Sequence, residues 1–199
     1  MHSKFVVHLS LPNFVEIITT FMPKSILLIG GPSTGKTTLI NYLKTLGYPC
    51  LEEISREVTK KAQNEGIDQL FLEKPLLFSQ LLKDARIQQF LEVASYDAEY
   101  VFLDRGIPDT VAYMDYIGQT YTEEFVNDCK NYIYDRVFIL PLWKEIHETD
   151  GERYENFEQA QKIQDHLIAT YKHYGYAPIE VPKADVATRA TFILNTLMG

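Results

Sequence analysis

The chain has 199 residues and a mass of 23.0 kDa, with 46% hydrophobic and 23% charged side chains, which suits one globular domain. Its formal net charge of −8 argues against a broad nucleic-acid-binding face, which needs clustered lysine and arginine. No stretch approaches the run of about 18 apolar residues that a membrane span needs, and Cys50 and Cys129 stand too far apart for a metal-ligand pair, suiting free thiols in a reducing, cytoplasmic setting.

Residues 1–21 are the unusual segment: His2 and Lys4 precede Phe5-Val6-Val7, but Pro12, Asn13 and Glu16 interrupt the apolar stretch. No small-residue cleavage site follows, so the segment is read as an N-terminal extension to a domain spanning 22–199. Ser25–Ile29 is a short apolar run ending in glycines, the pattern of a buried parallel strand. Gly35–Leu46 has helical periodicity and stops at Gly47; Tyr48–Leu51 is a weaker strand, and a polar helix follows from Ser55 to Asn64. After the Gly66-Ile67-Asp68 break, Pro75 opens a long helix reaching Ser95. Tyr100–Asp104 is an apolar strand ending on an acid, followed by helices over Pro108–Ile117 and Thr122–Tyr132. Arg136–Leu140 is the next strand, stopped by Pro141. Trp143–Asn156 is dense in charge and short of periodicity, which predicts a mobile loop or a broken helix. Phe157–Tyr174 is an amphipathic helix whose aromatics belong to the core, Ile179–Val181 a short strand, and Asp185 caps a last helix running to Leu197. Strands alternating with helices imply a parallel sheet covered on both faces.

Gly30-Gly31-Pro32-Ser33-Thr34-Gly35-Lys36-Thr37 matches G-x-x-x-x-G-K-[ST] at every fixed position, between a strand and a helix. Glycines let successive backbone N–H groups turn inward around phosphate oxygens, and the helix N-terminus adds positive potential. Lys36 reaches the β- and γ-phosphates, the Thr37 hydroxyl ligates Mg²⁺, and Thr38 completes the binding segment. The cofactors are therefore ATP, with GTP as the alternative, and Mg²⁺.

Ligands of open α/β sheets collect at the carboxyl ends of strands. Asp104 ends one strand and is a second Mg²⁺ ligand, directly or through water, while Arg105 points toward an acceptor or the transferring phosphate. Glu52 and Glu53 end another; Glu53 is preferred as the carboxylate that receives an acceptor hydroxyl, although the pleat leaves Glu52 open. Arg56 shares a helix face with these acids, and Arg86 on the long helix is a further acceptor contact. Arg153, in the charged segment after the Arg136–Leu140 strand, is placed to neutralise charge during transfer as an arginine finger. The five histidines show no metal-site spacing.

Together, Ile29–Thr37, Glu52-Glu-Ile-Ser-Arg-Glu57, Phe102-Leu-Asp-Arg-Gly106 and the Pro141, Trp143, Asp150, Arg153 segment resemble the NadR-type AAA-domain family, a P-loop group related to the ribosylnicotinamide kinase domain of NadR. The resemblance runs from about Lys24 to the C-terminus. It implies a P-loop NTPase fold: a three-layer α/β/α sandwich on a mostly parallel five-stranded sheet of nucleoside- and nucleotide-kinase type. The strand leading to Gly30 would lie beside the Asp104 strand. It also implies an arginine-bearing lid matching Arg153 and a carboxylate base matching Glu52 or Glu53. The function expected is transfer of the γ-phosphate of Mg·ATP to a small nucleoside- or nucleotide-like acceptor. The alternative is an ATPase or nucleotide-dependent switch that captures a protein partner. Its GTP version is weakened because no Asn-Lys-x-Asp base-reading motif is present.

Overall fold

The computed structural model describes residues 22–64, 66–67, 70–144 and 156–199, together with the backbone of 5–7 and 18–20. Strand β1 (Phe5–Val7) pairs antiparallel with β2 (Ile18–Thr20), forming a two-stranded sheet of its own. The main sheet has β3 (Lys24–Ile29) at its centre, flanked by β5 (Tyr100–Asp104) and β6 (Arg136–Ile139), with β4 (Cys50–Leu51) and β7 (Ile179–Glu180) at the edges. Every pairing in it is parallel. The chain leaves β3, passes beyond β5 to reach β4, then returns, while β6 and β7 extend the other side. This places the end of β3 at the crevice where connections diverge, the usual ligand position in such sheets.

The central strands are apolar on both faces because helices cover both. Leu27, Ile29, Val101, Leu103, Val137 and Ile139 face one layer, where they meet α7 (Phe157–His173) through Ile163, Leu167 and Tyr171. Ala112 of α5 (Ile107–Ile117) joins the same cluster, and Phe90 of α4 (Pro75–Glu92) packs against it. Ile26, Leu28, Phe102 and Phe138 face the other layer, where they meet α1 (Lys36–Thr45) and α8 (Val186–Met198). The remaining helices are α2 (Ser55–Asn64), the four-residue α3 (Leu70–Glu73), which sequence periodicity is too short to reveal, and α6 (Glu123–Asn131).

Local chemistry sets the helix ends. Asn156 and Gln159 form a reciprocal cap on α7, with N–H to side-chain distances of 2.9 Å each way. The Asp185 carboxylate accepts from Thr188 N–H at 2.9 Å, the cap expected from sequence. The long helix ends as α-helix at Glu92 and tightens into a 3₁₀ turn over Val93–Ser95. Lys83 of α4 is nearly fully buried, and its ammonium donates to Asp128 (2.6 Å) and Glu124 (2.5 Å), tying α4 to α6. Burial alone would lower its pKa; the two carboxylates outweigh burial and raise it. Cys50 and Cys129 are both free thiols, and burial pushes them up to about 11 and about 12. No helix among the described residues is long and apolar enough to cross a membrane.

Candidate active site

The phosphate loop leaves β3 at Gly30 and enters α1 at Lys36. Gly30 sits at φ 148°, and a Cβ there would lie 2.7 Å from the Leu140 carbonyl oxygen, so the tight departure from the sheet requires glycine. Ser33 and Gly35, at φ 57° and 81°, alternate the backbone hand and turn N–H groups toward one concavity. The flanks are held by side chains. Thr34 Oγ1 donates to Gly31 O (3.0 Å), and Gly31 N–H donates to Gln164 Oε1 of α7 (2.8 Å). Gln164 Nε2 in turn donates to Leu140 O at 3.3 Å. The Lys36 ammonium folds back along the loop, donating to Gly30 O (2.8 Å) and Gly31 O (2.9 Å). Pro32 is half-buried, while Thr37 and Thr38 are exposed at the first turn of α1.

Asp104, at the end of β5, is 4% exposed, and its Oδ1 has no hydrogen-bond partner among the described residues. Burial raises its pKa, while Lys36 and then Arg105 pull the other way. A buried carboxylate oxygen left unpartnered is costly unless something else occupies it. With the exposed Thr37 hydroxyl, Asp104 fits a Mg²⁺ that completes its shell with water and phosphate oxygens. Among the described residues, no group of three or more His, Cys, Asp or Glu side chains could hold a metal alone. A phosphate-dependent Mg²⁺ does not need one.

Beyond Asp104 the chain turns through Arg105, held at φ 71°. Its guanidinium ion-pairs through Nε with Glu53 Oε2, while Nη1 lies 3.3 Å from Asp109 Oδ1. Arg86 approaches Glu53 Oε1 with Nη2 (3.3 Å) and donates to Gly106 O with Nη1 (3.2 Å). Asp109 is buried beneath them, its Oδ2 accepting from Gly106 N–H (2.9 Å) and from the Tyr171 hydroxyl (2.5 Å). Glu53, Arg86, Arg105, Asp109 and Tyr171 therefore form one connected network. Burial would raise the Glu53 pKa, but Arg86, Arg105 and the Ser55 N–H together hold it down at about 2. Arg105 is likewise fully protonated, because Glu53 and Asp109 overcome burial.

The sheet pleat separates the two glutamates. Glu53 enters the cluster, whereas the Glu52 side chain turns outward to pair with Lys44 and only its carbonyl faces inward, accepting from Gln89 Nε2 at 2.8 Å. The Glu52 side chain thus does not join the expected acceptor site. Arg56 is also apart from the network: it lines an open groove with Ser55, Thr59, Lys60, Gln63 and Phe78 between α2 and α4. Asp150 and Arg153 lie outside the described residues. Asp109, Gln164 and Tyr171 were not anticipated, since their partners are distant in sequence.

Lys36 is a strongly shifted group of the site. Burial, then repulsion from Arg105, lowers its pKa to about 7, against the opposing pull of Asp104, Glu53 and Asp109. Bound phosphate would raise that pKa, so nucleotide binding is expected to take up a proton above neutrality. ADP affinity should be fully expressed below about pH 7 and weaken as pH rises past that value toward the bound-state pKa. Calorimetry at about pH 8 in buffers of different ionisation enthalpy checks this; buffer-independent heats would contradict it.

A Walker loop at the centre of a parallel sheet, with an acid at the end of the neighbouring strand, defines a P-loop nucleotide-binding protein of nucleoside- and nucleotide-kinase fold. The chain belongs to the AAA-domain family, whose profile matches residues 25–189. NadR in complex with NR superposes with a TM-score of 0.70 at 20% identity, over 88% of this chain and 51% of that one. Deoxyadenosine kinase from M. mycoides, with dCMP and dCDP bound, gives 0.65 at 17% identity, over 87% and 98%. Thymidylate kinase from Candida albicans gives 0.64 at 19% identity, over 89% and 92%. No curated protein sequence matches.

Proposed function

We propose that this protein is a kinase that transfers the γ-phosphate of ATP to a hydroxyl of a small nucleoside- or nucleotide-like acceptor. The observation that carries the reading is the Glu53–Arg86–Arg105 cluster beside the phosphate loop: a half-buried, ionised carboxylate with a fixed direction, next to the donor site. The nucleoside- and nucleotide-kinase neighbours support an acceptor of that class.

In this reading the loop N–H groups and Lys36 hold the β- and γ-phosphates. Mg²⁺ at Thr37 and Asp104 would supply charge neutralisation on the phosphates. The acceptor oxygen forms a bond to the γ-phosphorus while the bond from that phosphorus to the bridging oxygen of ADP breaks. With its pKa held at about 2, Glu53 is a weak base. Its role is to accept the hydroxyl hydrogen bond and aim the oxygen, with the proton passing late to the transferred phosphoryl group and then to water, as a loose transition state permits. Arg105, anchored by Asp109, stabilises charge on the transferring group.

Incubation with ATP labelled at the γ-phosphate and a panel of nucleosides and nucleoside monophosphates tests the reading. Label is expected on one acceptor class. Release of label only as inorganic phosphate, with every acceptor unmodified, would remove it.

A further inference from the structure

Arg189 of α8 is 7% exposed and 155 residues from the segment it touches, with Nη1 donating to Thr34 O at 3.2 Å. Its guanidinium also packs beside Gly35, where a Cβ would lie 2.9 Å from Nη1 and 3.2 Å from Nη2. Nε is buried with no partner, and Arg189 forms no ion pair with a carboxylate among the described residues. The nearest acid in sequence on its own helix, Asp185, is engaged in capping, accepting from Thr188 N–H (2.9 Å) and Thr188 Oγ1 (2.7 Å). Burial accordingly lowers the Arg189 pKa, with only Asp185 opposing.

Buried charges in folded proteins are ordinarily paired, because the cost of desolvating an isolated cation far exceeds one neutral hydrogen bond. A residue needed only to brace the Thr34 carbonyl would do so more cheaply as a neutral donor. The rest of the buried α8 face, Val186, Ala190 and Ile193, is apolar, so the arginine interrupts a stripe that would pack without it. It stands against the phosphate loop.

We infer that Arg189 is a further donor-binding residue, whose guanidinium is neutralised by the phosphate chain of a bound nucleoside di- or triphosphate. The inference rests on the donor-site reading of the phosphate loop and adds to it a cation from the opposite end of the chain. The nucleotide then supplies the missing counter-charge, so part of its binding energy comes from relieving a cost present in the unliganded protein.

The test compares the full chain with Arg189→Met, which keeps length and loses charge, and Arg189→Lys, by thermal melting and by calorimetric titration with Mg·ADP. Without nucleotide, Arg189→Met is expected to melt at or above the wild type. Its ADP affinity is expected to fall about tenfold or more, with Arg189→Lys between the two. A merely structural arginine gives the reverse: a lower melting temperature without ligand and an unchanged ADP affinity. That result overturns the inference. Should Arg189→Met fail to fold, Arg189→Gln decides, since ADP affinity equal to wild type in that uncharged variant also overturns it. If the wild type itself gains no stability from ADP, the donor-site reading has failed; if it gains and both variants gain equally, only the role of Arg189 has.

Discussion

Lys36→Ala is expected to lower phosphoryl transfer by about a thousandfold, the upper range for removing one preorganised charge donor from a transition state. The size follows from placement. Lys36 is buried, folds along the loop onto Gly30 O and Gly31 O, and is the leading opposing cation for the buried Asp104. Removal takes positive charge from the phosphates and one donor from each of two loop carbonyls. ADP affinity should fall as well, so the comparison needs saturating nucleotide and a melting curve showing the variant folded. Turnover within a few-fold of wild type would mean that the loop holds a phosphate but is not the seat of chemistry.

Glu53→Gln should cut turnover by about a hundredfold while leaving ADP affinity nearly unchanged. The amide keeps the shape and can still accept from Ser55 N–H, but Arg86 and Arg105 lose the charge they share. The same substitution has a pH signature. Glu53 falls from an ordinary 4.5 to about 2 on folding, so its contribution to stability is complete above about pH 4.5 and disappears as pH drops toward 2. Glu53→Gln should flatten acid unfolding across that interval. An equal loss of ADP affinity and turnover would instead place Glu53 on the donor side.

The architecture was largely legible because its signals are local. Uninterrupted apolar runs bounded by turn residues or acids, such as Ile26–Ile29 and Val101–Leu103, read as central strands, and the Walker loop is a contiguous string. The edge strands were less sharp: β4 and β7 are two residues each, shorter than the periodicity that reveals a strand. The site was legible only as far as it lies at strand ends. Asp109 reads locally as an acidic first-turn residue, and its contact with Tyr171 spans 62 positions. Tyr171 reads as core, which it is, but its hydroxyl carries the polar contact that matters here. Arg86 and Arg189 did leave a trace: each is a charge on the buried face of a helix. A cation in an otherwise apolar stripe, as Arg189 is in α8, marks a place where tertiary structure must supply an anion. Which anion depends on packing that no local pattern encodes.

The sheet acts as a partition. Lys36, Thr37 and Arg189 are carried by α1 and α8 on one face, whereas Arg86, Asp109 and Tyr171 are carried by α4, α5 and α7 on the other. The two hydrophobic clusters draw on different helices, and of the second layer α7 reaches the phosphate loop, through Gln164. On the proposed reading, drift in α4 and α5 changes the acceptor while the nucleotide site on α1 and α8 stays fixed. It follows that chimeras swapping α4 and α5 between relatives should inherit the acceptor of one parent and the nucleotide preference of the other.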